Sequence, residues 1–170
     1  MTIFIRLLIL QIIWYLLIKY GDVPQAYLYP VIALILTGLD KTFFIKKLSW
    51  QHFAVFSLFL FLAGLIIDSL LMISNMIVFI GWEAVYSPYF MWAIWLIFLP
   101  YYDIAFEKFY GKKWVAFLCG LIFAPISYYS GSKIGNLEIF QLENLLAIGL
   151  LWGIFFPISI ELYFNLTKEK

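Results

Sequence analysis

Long apolar runs alternate with short polar breaks along the whole chain, at a length and density that fit neither alternating strands nor the half-polar helices of a soluble core. The runs cover 3–19, 24–39, 53–79, 88–105, 113–131 and 143–164. About 20 apolar residues in helical form cross a hydrocarbon layer about 30 Å thick, so each run predicts a membrane helix. The expectation is an all-α fold, a polytopic transmembrane helix bundle of six spans forming one integral membrane domain over 1–170. Connections are short, so any chemistry must be built from the helices and their ends. The run beginning at Pro24 is the shortest, and merging or dropping it gives a five-span alternative. The run 53–79 is the longest. At 1.5 Å per residue it exceeds the hydrocarbon thickness, so it is expected to tilt, bend or protrude.

Composition supports the membrane reading: 65% of residues are hydrophobic and only 12% charged. The N-terminal run is longer than the apolar segment of a typical signal peptide and shows no small-residue cleavage pattern, so it is read as the first span. One cysteine, Cys119, and one histidine, His52, exclude an internal disulfide and argue against a His/Cys metal site within one chain. No metal and no cofactor are expected. A net charge of +1 gives no sign of nucleic-acid binding.

Charge does set an orientation. With six spans, one side collects Arg6, Lys41, Lys46, Lys47, Lys108, Lys112, Lys113, Lys168 and Lys170, and the other only Lys19 and Lys133. Such asymmetry places the basic side in the cytoplasm. Both termini are therefore predicted cytoplasmic, with the loops around Gly21, Glu83 and Gly135 facing outward. An odd span count would mix the basic loops.

Polar residues within the spans are the candidate site. An aspartate near mid-membrane costs about 2.5–3.5 kcal/mol on insertion scales. Asp68 in "AGLIIDSLLMISN" is the outstanding case, with Gly64, Leu71 and Asn75 at helical spacing on its face. One reading makes Asp68 a packing element bonded to neighbouring hydroxyls or amides; the other makes it a proton carrier or a substrate-binding acid. Gln11 and Trp14 share a face of the first helix, with Tyr15 adjoining. Trp92, Trp95, Leu99, Tyr102 and Asp103 follow one face of the fourth, where Pro100 is expected to bend the helix. An aromatic stripe of this kind is more often core than binding box. Asp103 and Glu161 lie near the cytoplasmic interface, where pairing with Lys108, Lys112 or Lys113, or hydration, is expected.

Small residues mark packing seams. Gly149, Gly153, Pro157 and Glu161 recur every fourth residue on the last helix. On the fifth, Ala116, Gly120 and Ala124 form a ridge continued through Ser127, Tyr128, Gly131 and Gly135. Pro125 frees the carbonyl of Leu121, a defect tolerated in a membrane only where protein or water satisfies it. The expectation is a bent, inward-packed helix carrying Ser127 and Tyr128 into the bundle. Counted from the cytoplasmic ends, Tyr128 and Asp68 stand about 21 and 22 Å up their helices, in one layer. Asp68, Tyr128, Gln11, Trp14, Asn75, Trp92, Trp95 and Ser127 are thus the candidate binding residues. Gly64, Gly120, Pro125, Gly131 and Gly135 are the candidate structural ones.

In order along the chain, "LQIIWYLLIKYGD", "GLIIDSLLM", "YSPYFMWAIWLIF" and "GLIFAPISYYSGSKIG" resemble the landmarks of a family of small bacterial inner-membrane proteins catalogued as a domain of unknown function. The family pattern has a Gln and Trp in the first helix, a Gly-x-x-x-Asp in the third, and a Gly-Pro-x-x-Tyr-x-x-Gly-x-x-x-Gly in the fifth. Here Ala124 stands before Pro125, and Tyr89 and Phe90 replace tryptophan-rich positions of the fourth helix. The resemblance implies a multi-pass protein of the bacterial inner membrane and assigns no reaction. It also implies encoding beside enzymes that modify membrane fatty acids, including methyltransferases resembling cyclopropane synthases.

Three functions follow from these residues and that resemblance. The first is an accessory or lipid-binding partner in membrane lipid modification or envelope upkeep, with membrane lipids, another membrane protein or a lipid-modifying enzyme as partner. The second is a small proton-coupled transporter or flippase using Asp68; it lacks an internal repeat, which a homo-oligomer would supply. The third is an intramembrane lipid-modifying enzyme with Asp68 as acid or base and Tyr128 as donor. Against the third stands the absence of a nucleophile–base pair, a phosphate loop or a metal cluster motif in the sequence.

Overall fold

The computed structural model describes residues 3–135, 137–139 and 141–168; Lys170, counted above on the basic side, lies outside them. The chain is mostly helical. α1 (Ile3–Lys19) is an uninterrupted apolar helix that ends just before Gly21, where a Cβ would stand only 2.5 Å from the Phe90 ring. A 3-10 turn over Pro24–Leu28 leads into α2 (Tyr29–Phe43), with Pro30 in its first turn, where a missing amide hydrogen costs nothing. The second predicted run therefore begins as a tight turn, and its α-helix is displaced toward the C-terminus to take in Asp40 and Lys41.

α3 (Trp50–Ile73) starts at Ser49, whose hydroxyl accepts the His52 amide at 3.1 Å. The helix stops at Ile73, short of the expected end of the 53–79 run. Asn75 takes a left-handed backbone conformation (φ 53°), reversing the chain into strand β1 (Ile77–Phe79). The excess length of that run is thus resolved by a turn and a strand. Asn75 consequently leaves the helical face of Asp68.

α4 (Tyr89–Ile97) and α5 (Leu99–Ile104) occupy the fourth run, separated at Phe98 because Pro100 provides no amide hydrogen and crowds the preceding turn. A second 3-10 turn (Phe106–Phe109) precedes α6 (Lys113–Ile134), which continues through Pro125 and beyond the expected end of its run. Strand β2 (Leu137–Ile139) and α7 (Asn144–Lys168) complete the described chain. β2 pairs antiparallel with β1, Val78 opposite Glu138, so the all-α expectation is amended by one small strand pair.

Three of these helices, α3, α6 and α7, are long and apolar enough to cross a membrane, and Tyr89–Ile104 forms a shorter apolar one. Exposed side chains such as Leu58, Ile66, Leu118, Ile122, Ile154 and Ile158 give them apolar outer faces. That surface suits lipid and points to a membrane protein.

The strand pair gathers the loops that follow α3 and α6 at one end of the bundle. The end of α1 joins them there, Ile18 lying against Gly131 and Gly135. At the opposite end, Arg6 of α1 bonds Asp40 of α2 bidentately, through Nε at 3.1 Å and an Nη at 2.6 Å, and reaches Asp103 of α5 at 3.4 Å. Lys47 and Glu107 pair at 2.9 Å at the same end.

The α6–α7 pair interlocks through small residues. A Cβ at Gly120 would strike the Trp152 carbonyl, one at Gly149 would stand 2.6 Å from the Leu121 carbonyl, and one at Gly153 would meet the Phe117 ring at 3.0 Å. Backbones this close leave room only for glycine. Gly149 thus covers the carbonyl released by Pro125. Between this pair and α3 lies an aromatic core in which Phe56, Tyr102 and Tyr163 meet edge-on or tilted.

Candidate functional site

Asp68 is fully buried on α3 and accepts two hydrogen bonds from different helices. Trp95 of α4 donates its Nε1–H to Oδ2 at 2.7 Å, and the Tyr128 hydroxyl of α6 donates to Oδ1. Gly64, one turn before Asp68, makes this geometry accessible: the Trp95 ring occupies the space that a Cβ at residue 64 would need. Trp95 in turn stacks on Trp152 of α7, ring centroids 4.8 Å apart at 16°. One carboxylate on α3 therefore fixes the orientation of residues on two other helices, α4 and α6, and, through stacking, on a third, α7. Hydrogen bonds to a charged acceptor are worth about 1.5–3 kcal/mol each.

Above this arrangement lies a cavity of about 670 Å³ between α1 and α6. Gln11 and Trp14 line it from α1, Ser127, Tyr128 and Ser130 from α6, and Trp95, Phe98 and Tyr101 from α4 and α5. Trp152 contributes from α7, and its Nε1, buried beside Tyr128, meets no acceptor at hydrogen-bonding geometry. Ile18 against Gly131 and Gly135 closes the cavity at one end; Phe106 and Phe109 mark the other. Its rim carries exposed Phe123 and Ile126, so the cavity opens sideways through the apolar surface of the bundle.

The structure brings together five of the eight candidate binding residues, Gln11, Trp14, Trp95, Ser127 and Tyr128, on the wall of this cavity. Asp68 stands behind that wall, holding Trp95 and Tyr128 in place. Trp92 turns away: its indole N–H donates to Ser87 Oγ at 3.0 Å and its ring packs on Tyr89 and Phe61. Asn75 sits in the turn after α3. Ser127 is exposed on the cavity rim, on a different face from the buried Ala124, Tyr128 and Gly131.

Two further expectations are corrected. Asp103 pairs with Arg6, not with Lys108, Lys112 or Lys113. Glu161 accepts the Gly111 backbone amide at 2.9 Å. The ion cluster of Arg6, Asp40 and Asp103 escaped sequence reasoning, although an arginine four residues into an apolar helix was the signal for it. Arg6 is 8% exposed, and a cation in that setting requires a carboxylate.

The site belongs to a helical protein whose long helices are fit to cross a membrane and whose cavity opens sideways among them. Over residues 3–158 the chain matches the family described as Protein of unknown function (DUF2878), and it belongs to that family. No curated protein and no solved structure matches it.

Proposed function

We propose that this chain is a six-span protein of the bacterial inner membrane, with both termini cytoplasmic, that holds a lipid in the cavity between α1 and α6. In this role it serves lipid modification or envelope upkeep as an accessory to another membrane protein or to a lipid-modifying enzyme. The observation that carries the reading is the cavity itself: about 670 Å³, walled by aromatic rings and open sideways between apolar helices. That volume is in the range of small-molecule sites, and in a bilayer the molecules beside such an opening are lipids.

The grouping of chain connections supports the six-span count. Connections following α1, α3 and α6 meet at one end, while Arg6, Asp40 and Asp103 meet at the other, as an up-and-down path requires. The basic residues concentrate at the second end, which argues for its cytoplasmic placement. Reporter fusions at Lys46 and after Lys170 are expected to read cytoplasmic, and one near Glu83 periplasmic. Opposite readings at Lys46 and Lys170 would overturn the count.

The function is tested by the lipid mass profile of membranes with and without this gene, together with the lipids that remain bound on purification. A changed acyl or headgroup composition supports the proposal. An unchanged profile with altered solute uptake would favour proton-coupled transport, which Asp68 favours less now that both its oxygens are engaged behind the cavity wall.

A further inference from the structure

The cavity wall has an unusual hydrogen-bonding balance. Gln11 and Trp14, three residues apart on α1, and Ser127 and Ser130, three apart on α6, all line it. Among the described residues, none of these four side chains has a hydrogen-bond partner. Several helical hydroxyls elsewhere in the chain bond back to the preceding turn: Ser57 to the Phe53 carbonyl at 2.8 Å, Ser132 to Tyr129 at 2.8 Å, Thr37 to Ala33 at 2.9 Å. Ser127 and Ser130 do not. With Trp152 Nε1 and the Tyr101 hydroxyl, the wall holds six groups able to donate. The nearest carboxylate, Asp68, already accepts from Trp95 and Tyr128. The indole N–H groups of Trp14 and Trp152 can only donate, while the Gln11 amide and the hydroxyls can donate or accept.

Gln11 stands at the middle of α1, far from either headgroup region under the six-span reading. Unpaired polar groups at that depth cost several kcal/mol, because hydrocarbon provides no partners. A phospholipid does not relieve Gln11: its ester carbonyls sit near the interface, about 15 Å from the midplane, and only methylenes reach the level of that amide. The occupant that matches the wall brings carbonyl acceptors into the hydrocarbon layer itself. Shape adds a second constraint, since the indoles of Trp14, Trp95 and Trp152 all line the cavity. Flat rings favour offset stacking against such surfaces.

We infer that the occupant is a lipid of the quinone class, a flat ring bearing carbonyls on a long apolar tail. Its carbonyls accept from Gln11, Trp14, Ser127 and Ser130, and its tail follows α6 past Phe123 toward Cys119. From Ser130 to Cys119 the wall runs about 16 Å along the helix axis. This inference rests on the proposed lipid-holding role of the cavity and narrows its ligand.

Cys119 lines the cavity and is the only cysteine of the chain, so the native protein carries its own reporter. The rate of Cys119 alkylation by N-ethylmaleimide is read by intact mass on the purified protein in detergent, alone and with a short-tailed ubiquinone, palmitic acid or a palmitoyl phospholipid. Ubiquinone is expected to protect Cys119 at concentrations at which the other two do not. Gln11→Leu, and separately the double change Ser127→Ala with Ser130→Ala, are expected to weaken that protection roughly tenfold, the loss of about one net hydrogen bond. Melting temperatures of both variants check that the fold is intact. Protection by palmitic acid or phospholipid but not by ubiquinone would overturn the quinone assignment and leave the lipid cavity standing. Protection by ubiquinone that neither folded variant weakens would also overturn the assignment. Protection by none of the three would remove both.

Discussion

Gly64 and Trp95 occupy one space: the indole of Trp95 lies where the first side-chain carbon of any other residue at position 64 would have to be. This contact lets Trp95 reach Asp68 one turn further along α3 and stack on Trp152 in the cavity wall. Gly64→Ala is expected to displace Trp95, lower stability by about 1–3 kcal/mol and lower the melting temperature in detergent. Cavity ligands should bind more weakly in the same variant. An unchanged melting temperature would mean that α3 and α4 do not pack this closely.

Replacing Asp68 separates shape from charge. In Asp68→Asn the amide oxygen accepts from Trp95 while its N–H donates to the Tyr128 oxygen, so both contacts persist with weaker bonds. Asp68→Leu leaves two buried donors unpaired at about 1–3 kcal/mol each. The Asn variant is expected to melt well above the Leu variant and to keep the lipid phenotype of the parent. A stable Asn variant without function would show that the acid itself carries a proton or a cationic group.

The α6–α7 contact is equally specific. Gly120→Leu forces a branched side chain against the Trp152 carbonyl, whereas Ile122→Leu changes a residue on the exposed outer face. The first is expected to lower the melting temperature sharply or prevent purification, and the second to shift it little. Equal melting of both variants would place the Gly120 face outside the helix contact.

Arg6 is 8% exposed and its partners Asp40 and Asp103 17% and 12%, so the cluster is shielded from salt. Removing the cation strands two carboxylates, and Arg6→Met is expected to cost about 3–5 kcal/mol. Arg6→Lys keeps the charge but loses the planar fork bonded to Asp40, and should fall between Met and the parent. Thermal melting at low and high salt distinguishes these outcomes; a cluster whose removal costs nothing would be a surface feature.

The class of the molecule was legible in its residues, because a bilayer imposes one requirement on every residue it surrounds, and apolar run length records it. Asp68, Gly64, Tyr128 and Gly120 stood out for the same local reason: an acid, a hydroxyl or a missing side chain in an apolar helix is conspicuous wherever it falls. Helix ends were less legible. The run 53–79 breaks into helix, turn and strand because β1 finds its partner some 60 residues later in β2, a pairing that no local pattern records. Tertiary structure alone decided that Asp68 stands behind the cavity wall with both oxygens engaged, that Trp92 faces Ser87 while Trp95 faces Asp68, and that Asp103 meets Arg6 rather than its neighbouring lysines. Periodicity assigns a side chain to a face of its own helix. What that face meets depends on how the helices rotate and pack around one another, and here glycine contacts such as Gly64 beneath Trp95 set that packing.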